Sequence, residues 1–118
     1  MSELKTPDSV IQELVGIRAE AAKGVDAQYR AEVKLAEATL AAETAEAKAL
    51  LTAEGTVVDR QAMAKLKSGE ERLNADIAKA EFNRVKTKLR LLEQAQMSVQ
   101  TQARLIELMY KSAGQGER

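Results

Sequence analysis

Residues 81–96 read EFNRVKTKLRLLEQAQ. Phe82, Val85, Leu89 and Leu92 recur there at spacings of three and four, and this pattern decides the fold. It is the period of an α-helix that lays one apolar stripe against another helix. Extended both ways, the stripe runs Ala78, Phe82, Val85, Leu89, Leu92, Gln96, Val99, Ala103, Ile106 and Tyr110. That is a sustained heptad with one polar interruption, at Gln96.

Toward the N-terminus, the strongest turn signal is AEGTVVDRQ, residues 53–61. Gly55 suits the left-handed end of one helix, Thr56 can cap the next, and Asp59 stands at the capping-box spacing. KTPDSV, residues 5–10, reads as a helix start, with Thr6 as cap, Pro7 in the first helical position and Asp8 at the positive end. These signals predict a helix over 7–54, a turn at 54–57 and a helix over 57–112, with tails at 1–6 and 113–118. On the first helix a heptad stripe runs Tyr29, Val33, Ala36, Leu40, Glu43, Ala47 and Leu50, whereas the phase upstream is Val10, Leu14, Ile17, Ala21 and Val25. The change of phase is a stutter and marks a candidate break near Gly24. The expected fold is all-α: a long antiparallel two-helix hairpin, coiled-coil-like, with Tyr29 facing Phe82 and Val33 facing Ala78.

Composition narrows the chemistry. In 118 residues, 31% are charged and 3% aromatic, and there is neither Cys nor His. Disulfides and thiolate metal sites are excluded, and the commonest general base and transition-metal ligand is missing. No Gly-rich phosphate loop is present. Glu43 and Glu46 match the first acid pair of the all-helical pyrophosphatases, but no E-x-x-D pair follows. The reading is therefore of a non-enzyme, with no catalytic, cofactor-binding or metal residues and no cofactor. No segment resembles a signal peptide or a membrane span, so a cytoplasmic location and no membrane partner are expected.

The net charge is zero but uneven. Residues 1–59 hold six Lys/Arg and eleven Asp/Glu, and the rest hold twelve and seven. Pairing of the two halves accounts for this, as does an anionic partner for the basic half. Lys79, Arg84, Lys86, Lys88 and Arg90 are the candidate nucleic-acid surface. No aromatic is free there to stack bases, since Phe82 belongs to the seam. Leu91 lies off the seam, and Leu105, Ile106, Leu108, Met109 and Tyr110 overhang the end of the first helix. This second apolar group is the candidate partner interface, most simply in a homo-oligomeric helical bundle.

Residues 29–96, YRAEVKLAEATLAAETAEAKALLTAEGTVVDRQAMAKLKSGEERLNADIAKAEFNRVKTKLRLLEQAQ, resemble small all-helical proteins of tailed bacteriophages and prophages. Shared features are Tyr29, the Ala-rich first helix, the EGTVVDRQA turn and the Leu-rich basic continuation. The resemblance implies a gene beside phage replication and recombination genes and a protein located in the host cytoplasm. Joined to the residues, it points to an oligomeric adaptor binding a phage or host protein, in DNA metabolism or counter-defence. The alternative is a nucleic-acid-binding accessory protein.

Overall fold

The computed structural model describes residues 6–116. It is 94% helix, with no strand among the described residues. Three helices follow in order: α1 (Pro7–Thr52), α2 (Val57–Lys67) and α3 (Gly69–Gly116). Residues 1–5 and 117–118 of the two expected tails lie outside the described residues, and α3 keeps its helical form through 113–116.

The helix ends follow from local chemistry. Thr6 Oγ1 accepts from Ser9 N at 3.2 Å, and Ser9 Oγ accepts from Thr6 N at 3.1 Å. This is a reciprocal capping box with Ser in place of Glu. α1 has no basic residue in its last turn. Arg60 of α2 takes that role instead, its Nη2 donating to Leu50 O at 3.0 Å. Gly55 makes the turn with φ +111°, a conformation that side chains rarely adopt. Thr56 Oγ1 then caps α2 by accepting from Asp59 N at 3.2 Å.

Two expectations about breaks are corrected. α1 runs unbroken through Gly24. The second helix, expected as one piece from 57 to 112, divides at Ser68. There the buried Ser68 Oγ donates back to Ala64 O at 2.7 Å, and Gly69 follows. A back-bonding Ser beside a Gly bends a helix at little cost. Arg72 covers a carbonyl at the join, its Nη2 donating to Lys65 O at 2.8 Å.

The chain forms two compact units. One comprises residues 26–86, and the other combines the described parts of 1–25 and 87–118. In unit 26–86 the chain reverses at 53–56, and α1 packs against α2 and the start of α3. Its most buried residues are Ala42, Ala49, Ala64, Ser68 and Ala78, which are small enough to let backbones approach closely. In the other unit the most buried residues are Val10 and Val99, and Leu89 stands over Gly24.

The α3 seam follows the expected phase. Phe82, Val85, Leu89, Leu92, Gln96, Ala103 and Ile106 are half-buried, Ala78 and Val99 are buried, and only Tyr110 departs by being exposed. The α1 seam does not. Tyr29, Val33, Ala36, Leu40, Glu43, Ala47 and Leu50 are all exposed. The inward line is Val10, Leu14, Ile17, Ala21 and Gly24, continuing through Ala27, Ala31, Leu35, Ala38, Ala42, Ala45 and Ala49. With Gly24 inward in place of the expected Val25, which is exposed, the upstream phase continues without a stutter. Tyr29 does not face Phe82 from a seam position, and Lys34 instead reaches Glu81 at 3.0 Å.

Candidate interaction surfaces

The five basic residues of the candidate nucleic-acid surface are all exposed on α3. They do not make one stripe. At about 100° per residue, Lys79 and Lys86 share one flank of unit 26–86, and Arg84 points roughly 140–160° away from them. Lys88 and Arg90 belong to the other unit, and their spacing turns them to nearly opposite sides. Lys86 is partly engaged, with its Nζ 5.4 Å from the centre of the Phe82 ring.

Arg84 meets other basic groups across the helices rather than along its own. Within unit 26–86 it borders a shallow, open groove with Arg30 and Lys34 of α1 and Glu81 of α3. Ala27, Ala31 and Val85 line the floor. The Lys34–Glu81 ion pair links the two walls. Neither Arg30 nor Arg84 has a hydrogen bond or ion pair among the described residues. Arg30 and Lys34 escaped the sequence reading because they lie in the acidic half of the chain. Only the packing of α1 on α3 brings them to Arg84.

The largest apolar surfaces are outward faces. On α1 of unit 26–86 they include Tyr29 at 68% exposure and Leu40 at 64%, with Val33 and Leu50 less so. These residues keep the heptad spacing seen in the sequence, but nearly opposite the Ala-rich seam. Leu66, Leu73 and Ile77 are exposed on α2 and α3 of the same unit. In the other unit Ile11, Val15 and Val25 are exposed on α1, and on α3 so are Leu91, Leu105, Leu108, Met109 and Tyr110. Ile106 is half-buried on the seam phase.

Glu43 is exposed and Glu46 half-buried on α1. Among the described residues no group of three or more acids is placed to hold a metal ion, and no helix is long and apolar enough to cross a membrane. No family model, curated protein or solved structure matches this chain.

Proposed function

We propose that this chain is a non-enzymatic helical adaptor that self-associates and binds another protein through its outward apolar faces. The observation that carries this reading is the exposed heptad of Tyr29, Val33, Leu40 and Leu50. A heptad on an outer face matches the twist of a partner helix. Left in water, such a stripe on a chain of zero net charge invites association. Following the resemblance of residues 29–96, the setting is a phage-infected or lysogenic cell, and the partner is a phage or host protein of DNA metabolism or defence. The site of action is the host cytoplasm.

Leu91, Leu105, Leu108, Met109 and Tyr110 supply a second contact of the same kind. Sedimentation equilibrium tests the reading. The wild-type chain is expected to associate at micromolar concentration, and Leu105→Glu with Leu108→Glu to weaken that association while leaving helicity intact. A wild-type monomer over the whole range would sink the self-association.

A further inference from the structure

We propose that the groove walled by Arg30, Lys34 and Arg84 in unit 26–86 binds a phosphate of a nucleic-acid backbone. The groove carries three cations and one carboxylate. Glu81 is paired with Lys34 at 3.0 Å, and neither guanidinium group of the groove has an ion pair of its own among the described residues. Arg side chains stay charged at any physiological pH, and their planar forks match pairs of phosphate oxygens. They enter from different helices, Arg30 from α1 and Arg84 from α3. The ion pair between Lys34 and Glu81 links those helices one turn from Arg30, and both guanidinium groups line the same groove.

The lining favours a backbone over other anionic partners. The floor of Ala27, Ala31 and Val85 is small and apolar. It offers no aromatic ring on which a base could stack. What remains is recognition of charge along an open channel, without sequence preference. This places the site away from the run Lys79 to Arg90, of which Arg84 alone takes part.

Fluorescence anisotropy of a labelled oligothymidine and of a duplex, over a salt series, tests the proposal. Arg30→Gln with Arg84→Gln removes the two free cations. Lys65→Gln with Lys67→Gln removes the same charge from exposed positions of α2. Wild type is expected to bind both nucleic acids at low salt. The groove variant should lose roughly tenfold or more in affinity, and its slope of log K against log salt for the single strand should shrink by about 0.7, as one lost phosphate contact requires. The α2 variant should stay within about twofold of wild type. Circular dichroism establishes that each variant is folded. Three results would overturn the proposal: no wild-type binding at low salt, equal losses in both variants, or binding of poly-glutamate where the oligonucleotides do not bind.

Discussion

At Gly24 one methyl group separates two packing solutions. A Cβ built there would lie 2.3 Å from Leu89 Cδ2 and 3.2 Å from Cγ, whereas one at Gly16 meets nothing within 4 Å. Both glycines lie inside α1, where replacing Gly with Ala gains about 1 kcal/mol of helix propensity. Gly16→Ala is therefore expected to stabilise by nearly that amount in urea titration. Gly24→Ala should fall short by about 1 kcal/mol or more, because Leu89 must leave its rotamer. In a Leu89→Ala background the shortfall should vanish. If the two Gly→Ala changes act alike, Leu89 does not pack over Gly24. A second residue, Glu71, is half-buried at a seam position with Oε2 buried and without a hydrogen-bond partner. Glu71→Leu should raise the midpoint of thermal unfolding, by an amount equivalent to about 1–2 kcal/mol. A lower midpoint would mean that the carboxylate is satisfied after all.

At the scale of the element, α3 was legible and α1 was not. Along α3 the large apolar residues and the buried line coincide, so Phe82, Val85, Leu89 and Leu92 mark the seam directly. Along α1 two apolar lines compete. The outer one holds Tyr29, Val33 and Leu40, and the inner one is mostly Ala. Weighing side chains by size selects the outer line. The structure selects the inner one, because Ala and Gly let two helices approach more closely than large residues do. The same bias produced the false stutter at Gly24. The join at Ser68-Gly69 is legible in principle as a Ser-Gly pair, but Ala64, Ser68, Glu71, Ala75 and Ala78 keep the spacing of four and three across it. The corrected phase has a direct consequence. Ala42 is 8% exposed and Leu40 is 64% exposed. Ala42→Asp should destabilise by about 3 kcal/mol or more, through an uncompensated charge in the seam. Leu40→Asp should change the stability of the isolated chain by about 0.5 kcal/mol or less. Chemical denaturation at high dilution separates these outcomes, and the reverse order would restore the Tyr29–Leu50 line as the seam.

For the molecule as a whole, the sequence revealed the helical class, the turn at Gly55 and the two-sided apolar character of the second helix. It did not reveal which side of α1 is turned outward, because that depends on the partner helix. It also did not reveal the groove, because Arg30 and Arg84 are distant in the chain and meet only after folding. Tyr29, Val33, Leu40 and Leu50 form a regularly spaced exposed face on α1. Sedimentation of wild type beside Val33→Glu with Leu40→Glu tests self-association through the exposed heptad of α1. Both substituted positions are exposed, so helicity measured by circular dichroism should be preserved. Wild type is expected to associate and the variant to shift to monomer. A variant that associates as strongly as wild type, or a wild type that stays monomeric throughout, would contradict it.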